Sequence, residues 1–276
     1  MGKLDDKVAF ITGAARGQGR SHAVRFAEEG ADIIAVDICA PVPSVPYDLA
    51  TPEDMDATVK AVEATGRRIV AREADVRSVP ELTAAVNDGL EAFGRLDIVV
   101  ANAGINTPAP TFEMDESVWT EMIDINLTGV WKTLKVSVPH LVAGGRGGSV
   151  ILVSSLAALK PYANTAHYSA AKGGLVSLMR VLAKELAPQG VRVNTVHPNT
   201  VGTGMVYNTA TYKLFRPELD DPTLEDFEVA ARTLNALDVA TLDSSDITNA
   251  VMFLASDDGR FVTGTTQVID AGGLLL

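Results

Sequence analysis

Apolar positions follow two patterns along the chain: short runs rich in β-branched residues, and longer segments whose apolar residues recur at helical spacing. The short runs predict strands at residues 8–12, 32–36, 68–72, 97–101, 149–154, 191–196 and 266–269. The longer segments predict helices at residues 18–29, 53–65, 81–93, 116–142, 168–186 and 247–254. Glycines that follow several of these segments, such as Gly30, Gly66 and Gly94, mark helix ends.

Strands that are apolar throughout and separated by helices are typical of parallel sheets covered on both faces. Because crossovers are right-handed, we expect a single doubly wound α/β domain over residues 1–276. Two segments break the alternation. The insert, residues 38–52, contains four prolines and is long for a strand-to-helix connection, which ordinarily has about 2–6 residues. The lid segment, residues 205–238, carries several aromatic residues, and we expect it to cover a substrate.

The composition limits the partners that the chain can have. Its 23 Lys and Arg against 35 Asp and Glu give a net charge of −12, which argues against nucleic acid and anionic membranes, since both need a basic face. No apolar run approaches the roughly 20 residues of a membrane span. No signal peptide is visible, so we expect a cytoplasmic protein. A single cysteine, Cys39, and histidines without ligand spacing argue against a disulfide and a metal site.

A glycine-rich turn joins the first predicted strand to the first predicted helix, with Gly13, Gly17 and Gly19 in the spacing Gly-x3-Gly-x-Gly. Glycines permit a sharp turn and close approach of the main chain to a pyrophosphate, and the helix N-terminus supplies N–H groups and partial positive charge. The spacing differs from the Gly-x-Gly-x2-Gly of the commoner dinucleotide fold. A glycine-rich turn without a ligand is the alternative explanation of this motif taken alone.

Asp37 ends the second predicted strand, 18 residues after Gly19. A carboxylate there can accept hydrogen bonds from adenosine ribose hydroxyls and would repel a 2′-phosphate, so the sequence favours NAD over NADP. The alternative is an ordinary strand-end Asp that caps the next turn. Further candidates follow the third and fourth strands, because ligands of open α/β sheets bind at the carboxyl ends of strands. These candidates are Asp75, Val76, Asn102, Ala103 and Gly104.

Tyr168 and Lys172 lie four residues apart on one face of a predicted helix. A neighbouring ammonium stabilises a phenolate, so Tyr168 can take the hydroxyl proton of an alcohol while hydride leaves for a nicotinamide. Ser155 precedes Tyr168 by 13 residues, and its hydroxyl can bond the substrate oxygen. Each of these spacings is common on protein surfaces, and only their placement after the glycine-rich turn makes them specific.

Taken together and in this order, these motifs resemble the short-chain dehydrogenase/reductase family, from residue 7 to residue 273. The resemblance implies a Rossmann-type fold with a seven-stranded parallel sheet, NAD(P), and interconversion of alcohols and carbonyls. It implies that Tyr168 is the acid/base, that Lys172 lowers its pKa and binds the nicotinamide ribose, and that Ser155 orients the substrate oxygen. Asn126 would hold a water in a proton relay. The implied cofactor contacts are Gly13, Ala15, Arg16, Gly17, Gln18, Gly19, Asp37, Ile38, Asp75, Val76, Asn102, Ala103, Gly104, Tyr168, Lys172, Pro198, Val201 and Thr203.

A narrower resemblance concerns the actinobacterial branch called mycofactocin-coupled dehydrogenases, which includes carveol dehydrogenases. It rests on residues 17–23, on the insert and on residues 47–50. The insert starts directly after Asp37, so we expect it to fold over the adenosine and slow the release of NAD; a surface insertion remote from the ligand is the alternative. The branch implies the same, with NAD that stays bound and passes hydride to a second redox carrier. The family also implies a homotetramer. One position departs from the family pattern: Asn199 follows Pro198, where a glycine is usual.

We therefore expect an NAD-dependent dehydrogenase that interconverts a secondary alcohol and its ketone. Few cations lie in the lid segment, so an acidic substrate lacks a clamp and an apolar alcohol, terpenoid-like as carveol is, is favoured. Two alternatives stay open. A biosynthetic ketoreductase usually needs a cation for NADP where Asp37 stands, and a non-catalytic dinucleotide sensor has no need of the acid/base set. A serine hydrolase is a weaker option, because no Gly-x-Ser-x-Gly surrounds Ser155.

Overall fold

The seven predicted strands form one parallel sheet in the order β3-β2-β1-β4-β5-β6-β7, in a computed structural model that describes residues 2–276. The strands are β1 (Val8–Thr12), β2 (Asp32–Asp37), β3 (Ile69–Glu73), β4 (Ile98–Ala101), β5 (Gly148–Val153), β6 (Val191–Pro198) and β7 (Thr266–Ile269). The strand order reverses between β1 and β4, so the loops after these two strands diverge and leave a crevice at the carboxyl edge. The predicted doubly wound, Rossmann-type α/β fold is confirmed.

Helices cover both faces of the sheet. Within residues 2–276 they are α1 (Gly17–Glu28), α2 (Pro52–Glu63), α3 (Val79–Phe93), α4 (Glu116–Ile123), α5 (Gly129–Gly144), α6 (Ala166–Leu186), α7 (Thr209–Phe215), α8 (Leu224–Arg232) and α9 (Ser244–Ala255). Side chains of β1 alternate between two cores: Ile11 packs with α1, α2 and α9, and Phe10 packs with α3 to α6. None of the helices described is long and apolar enough to cross a bilayer.

The long helix predicted at residues 116–142 is not continuous. A π-helical turn at Asp124–Thr128 separates α4 from α5. Such turns widen a helix by one residue and are frequent at functional sites. Here the π-helical turn contains Asn126, whose side chain is buried.

Helix ends depart from the prediction by a few residues because side-chain caps set them. The Ser78 side chain accepts from the Glu81 N–H, so α3 begins before the predicted residue 81. A capping box between Thr51 and Asp54 likewise starts α2 at Pro52. The lid segment, for which the sequence shows only a break in pattern, contains α7 and α8.

Candidate active site

The glycine-rich turn between β1 and α1 leaves no room for a side chain at Gly13 or Gly19. A Cβ on Gly19 would lie 1.9 Å from the Gly13 carbonyl oxygen, and Gly13 adopts φ +67°. Asn102, after β4, supports the turn by donating from its side-chain amide to the carbonyl oxygens of Thr12 and Gly13, at 3.0 and 3.1 Å. The turn is thus tied to the neighbouring strand, with the N-terminus of α1 at the cleft.

Asp37 lies beside this turn, at the end of β2. Its Oδ2 accepts from the Ala15 N–H at 3.0 Å, and its Oδ1 accepts from the Cys39 N–H at 3.4 Å. Burial raises the pKa of the Asp37 carboxyl, and the main-chain donors oppose that rise because they favour the ionised form. A carboxylate has about four acceptor positions, so Asp37 can still accept from a hydroxyl of a ligand.

The cofactor cleft, at the carboxyl edge of the sheet, brings most predicted cofactor residues together. Those that line it are Gly13, Arg16, Gly17, Gln18, Gly19, Asp37, Ile38, Asp75, Val76, Asn102, Ala103, Gly104 and Thr203. Ala15 is buried and acts through its bond to Asp37, whereas Pro198 and Val201 line the adjoining cavity.

Gln18 lies between the two cavities and contributes to the walls of both. Its Oε1 is buried and has no hydrogen-bond partner in the chain. Buried polar atoms are nearly always paired, so this acceptor points to a ligand that brings a donor, such as the carboxamide of a nicotinamide. Together with the tight turn and with Asp37, it indicates that the residues of the cleft fit NAD.

The insert forms one wall of the cofactor cleft. The residues of this wall are Ile38, Val42, Tyr47, Leu49 and Ala50. The insert therefore contributes to the cofactor cleft and is not a surface insertion remote from it.

Hydrogen bonds attach the insert to elements on the opposite side of the cleft. The Tyr47 hydroxyl accepts from the Asn106 N–H at 3.1 Å, and the Thr107 hydroxyl donates to the Ser44 carbonyl at 3.0 Å. The Ser44 N–H donates to Glu121 of α4 at 3.0 Å. The insert thus bridges the cleft from β2 to the loop after β4.

Ser155 and Tyr168 line a second cavity of about 380 Å³, the apolar cavity, which shares the lining residues Gln18, Thr203 and Met205 with the cofactor cleft. Lys172 is buried behind them and donates from Nζ to the Val153 carbonyl at 2.9 Å. Its Nζ lies 5.8 Å from the centroid of the Tyr168 ring. The end of β5 and the first turns of α6 therefore bring the three predicted residues together.

Burial is the largest cause of the pKa shifts of Tyr168 and Lys172. It raises the pKa of Tyr168, and a hydrogen bond with the Ser155 side chain opposes the rise. It also lowers the pKa of Lys172 to about 8. Desolvation is thus the largest influence on the pKa of Tyr168, and the lowering of this pKa by Lys172 stays a prediction.

Asn126 lines neither cavity. Its Oδ1 accepts from the Ile105 N–H at 3.0 Å, and its Nδ2 donates to the Ile105 carbonyl at 2.9 Å. A Cβ on Gly104 would lie 2.6 Å from Asn126 Oδ1, so the loop after β4 packs closely on this amide. Asn126 holds that loop in place, and its role with a relay water stays a prediction.

The apolar cavity contains no charged lining residue among those that the structure describes. Its apolar wall consists of Leu156, Ala157, Tyr162, Ala163, Met205, Val206, Leu214, Phe215 and Leu234. The other lining residues include many with polar side chains, such as Asn106, Asn164 and Thr165, and all of these are uncharged.

Only some of the aromatic residues in the lid segment line this cavity. Phe215 lines it, whereas Phe227 is fully buried and packs against Tyr212 and Phe215, with ring centroids 5.3 and 4.9 Å away. Tyr207, another aromatic residue of the lid segment, lies outside the lining, and its hydroxyl bonds Thr241 at 2.9 Å. Its ring packs at the edge of Phe227 instead.

A model of the family described as short chain dehydrogenase matches residues 7–213, which is more than half of the chain. The chain belongs to this family. The seven-stranded sheet and the order of its motifs agree with the membership, and the family predicted from the sequence is confirmed.

Relatives of this short-chain dehydrogenase match along its whole length. It is 52% identical over 276 residues to (-)-trans-carveol dehydrogenase of Rhodococcus erythropolis, covering 100% of both chains. A crystal structure of carveol dehydrogenase from Mycobacterium avium in complex with NAD is 53% identical, with a TM-score of 0.98 and 100% of both chains covered. A short chain dehydrogenase from Mycobacterium paratuberculosis bound to NAD is 44% identical, with a TM-score of 0.90 and 100% of both chains covered.

Several residues of this dehydrogenase site were not singled out from the sequence. Asn106 bonds Tyr47 across the cofactor cleft, and Leu156 and Tyr162 line the apolar cavity. The ring of His197, a histidine without ligand spacing, contacts the main chain of Ser155. Tyr47 itself belongs to residues 47–50, on which the narrower resemblance rests.

Proposed function

We propose that this NAD-dependent short-chain alcohol dehydrogenase interconverts an uncharged, apolar secondary alcohol and its ketone. The observation that carries the proposal is the apolar cavity beside Tyr168, which has no charged lining residue within residues 2–276. A carboxylated or phosphorylated alcohol would bury its charge there without a partner, at a large cost in free energy. The carveol dehydrogenases that are 52% and 53% identical support a terpenoid-like alcohol such as carveol.

The chemistry divides between a bound cofactor and three side chains. NAD, when bound, supplies the acceptor for the hydride that leaves the alcohol carbon. The Tyr168 phenolate takes the proton of the alcohol hydroxyl, and Ser155 donates to the same oxygen and fixes its position. The ammonium of Lys172 stabilises the phenolate, since its charge favours the deprotonated form of the neighbouring phenol. In the reverse direction Tyr168 returns the proton to the ketone oxygen.

Residues of the cofactor cleft would hold NAD in distinct ways. The N–H groups at the start of α1 would bind the pyrophosphate, and Asp37 would accept from ribose hydroxyls. Gln18 would accept from the carboxamide, which would satisfy its buried Oε1. The charge of Asp37 also disfavours a 2′-phosphate, which weighs against the biosynthetic ketoreductase.

The insert supports a further part of the proposal, that NAD exchanges slowly. It walls the cofactor cleft and is bonded to the loop after β4 and to α4, so these bonds should oppose the release of NAD. Slow exchange agrees with the mycofactocin-coupled resemblance, in which hydride passes to a second redox carrier. A homotetramer and a cytoplasmic location remain predictions.

A matched pair of cyclic alcohols tests the substrate class. Methyl 4-hydroxycyclohexanecarboxylate and its free acid differ in one charge, and a relative 34% identical is a trans-4-hydroxycyclohexanecarboxylate dehydrogenase. Turnover is followed with NAD and an artificial electron acceptor, so that bound NAD can recycle. We expect a higher kcat/KM for the ester and for carveol than for the acid. Preference for the acid would contradict the proposal, and NAD binding without turnover of any alcohol would favour the dinucleotide sensor.

A further inference from the structure

The main-chain pairing of β5 and β6 ends just before Ser155. The last paired residues are Val153 and Val196, and the Ser154 N–H donates to the Val196 carbonyl at 2.8 Å. Pro198 has no N–H, so the ladder lacks the donor that would next meet the Ser154 carbonyl, and the pairing stops there. The Ser155 carbonyl lies beyond the last paired residue and accepts from the Ala158 N–H of the following turn at 3.1 Å.

The side chain of His197 bonds this carbonyl. Its Nδ1 lies 2.9 Å from the Ser155 carbonyl oxygen, and its Nε2 lies 2.8 Å from the Thr195 hydroxyl. A carbonyl oxygen only accepts, so Nδ1 carries the hydrogen and Nε2 of the neutral ring accepts from Thr195. The ring is fully buried, and burial lowers the pKa of His197, which favours this neutral form.

The bonded carbonyl belongs to the peptide that leads into the turn Leu156–Ala158. In that turn the Ala157 N–H donates to the Ser155 hydroxyl oxygen at 3.1 Å. That oxygen therefore keeps its own hydrogen for another acceptor. Rotation of the Ser155 carbonyl would move the Ala157 N–H as well, because one peptide chain connects them. His197 and the Ala158 N–H thus hold the Ser155 carbonyl together, at the start of the turn that brings the Ala157 N–H to the Ser155 hydroxyl.

We propose that His197 is a positioning residue for alcohol oxidation, which holds the Ser155 carbonyl so that the Ser155 hydroxyl points at the substrate oxygen. This inference rests on the proposed function, in which Ser155 bonds that oxygen. His197 does not contact the reacting atoms in this account and acts through Ser155 alone. Its substitution should change kcat without a matching change in affinity for NAD.

Two amide variants separate positioning from packing. His197→Asn places an amide nitrogen where Nδ1 stands, so it can still donate to Ser155, whereas His197→Gln reaches only the Nε2 position. Both variants lose the same ring. We expect His197→Asn to keep most of the wild-type kcat and His197→Gln to lose up to about 10²-fold, as for a misplacement of about 1 Å. The KM for the alcohol and the affinity for NAD should change much less.

Ser155→Ala completes the test. If His197 acts through Ser155, adding His197→Gln to Ser155→Ala should cause little further loss, since the two effects are not additive. Equal losses of kcat in His197→Asn and His197→Gln, or full additivity with Ser155→Ala, would overturn the inference. If His197→Gln does not fold, a His197→Asn variant as impaired as Ser155→Ala would also overturn it. Full activity of Ser155→Ala would instead contradict the proposed function itself.

Discussion

The Tyr47 hydroxyl accepts a hydrogen bond from the Asn106 N–H at 3.1 Å, and this bond joins the insert to the loop after β4. Tyr47 lines the cofactor cleft, and Asn106 lines the apolar cavity. Burial raises the pKa of Tyr47 to about 12, so the phenol stays neutral at physiological pH. The pair therefore joins the insert to the loop that separates the cofactor cleft from the apolar cavity.

Loosening the insert should speed the release of NAD. Tyr47→Phe removes the acceptor for Asn106, and Glu121→Ala removes the acceptor for the Ser44 N–H. One hydrogen bond contributes about 1 kcal/mol, so each change should raise the NAD dissociation rate about fivefold. Glu121→Gln keeps an acceptor oxygen and serves as the matched control.

The release rate is measured by trapping the NAD that leaves the purified protein. Wild-type protein should carry NAD through purification, and denaturation should release it for assay. Little NAD in the preparation, with rapid exchange that neither substitution changes, would contradict a closing role for the insert. Such a result would leave the alcohol dehydrogenase activity intact.

Asp37 should set the choice between NAD and NADP. Asp37→Ala removes an acceptor for ribose hydroxyls, and charge-assisted hydrogen bonds contribute about 1.5–3 kcal/mol each, so NAD affinity should fall by at least tenfold. Asp37→Asn keeps an acceptor and loses the charge, so it should regain part of that affinity. Both variants should bind NADP more tightly than wild type in calorimetry. Unchanged affinities for the two cofactors would show that Asp37 does not contact the ribose.

Met205 and Tyr207 make a matched pair within the lid segment. Met205 lines the apolar cavity, whereas Tyr207 bonds Thr241 outside it. Met205→Ala should enlarge the cavity and shift kcat/KM towards bulkier alcohols, by about tenfold for a few methylene groups. Tyr207→Phe should leave the order of preference unchanged. Both variants are assayed with a panel of cyclic alcohols of increasing size. An unchanged order of kcat/KM values in Met205→Ala would show that the lid segment packs against the core without contacting the substrate.

Alcohol oxidation and ketone reduction should depend on pH in opposite ways. Oxidation needs the Tyr168 phenolate, so its rate should rise with pH, and ketone reduction needs the phenol, so its rate should fall. Burial raises the pKa of Tyr168, which extends the rising limb into the alkaline range. Lys172→Met removes the ammonium that stabilises the phenolate and should move that limb to still higher pH, whereas Lys172→Arg keeps a charge. Single-turnover profiles that do not depend on pH would contradict the assignment.

Local patterns in the sequence predict most of the fold. The bounds predicted for β1 agree with the structure, because this strand is a mostly apolar run between Lys7 and Gly13. The bounds predicted for β7, which ends in Val268 and Ile269, also agree. The positions of Asp37 and Asn102 at the carboxyl edge of the sheet can also be predicted from the sequence, because each residue stands at the end of a strand. Polar residues at the ends of parallel strands meet whatever the details of packing.

Contacts between distant loops are not visible in such patterns. The π-helical turn around Asn126 depends on the fit of its amide to Ile105, which is set by tertiary packing. The bond of Tyr47 to Asn106 joins residues 59 apart, and no periodicity reports it. The lid segment hides Phe227 in its own core, so aromatic content alone could not separate lining residues from packing residues.

Single-turnover hydride transfer in Tyr168→Phe is the most direct test of the account. The substitution removes the transferable proton and keeps the ring, so NAD binding should be nearly unchanged. A positioned acid/base contributes about 10²–10⁴-fold, so oxidation of an apolar secondary alcohol should slow by that factor. Formation of reduced nicotinamide is followed after rapid mixing of the NAD-loaded protein with the alcohol. The predicted result is loss of this signal with NAD still bound, and a rate above about a tenth of wild type would contradict the central role of Tyr168.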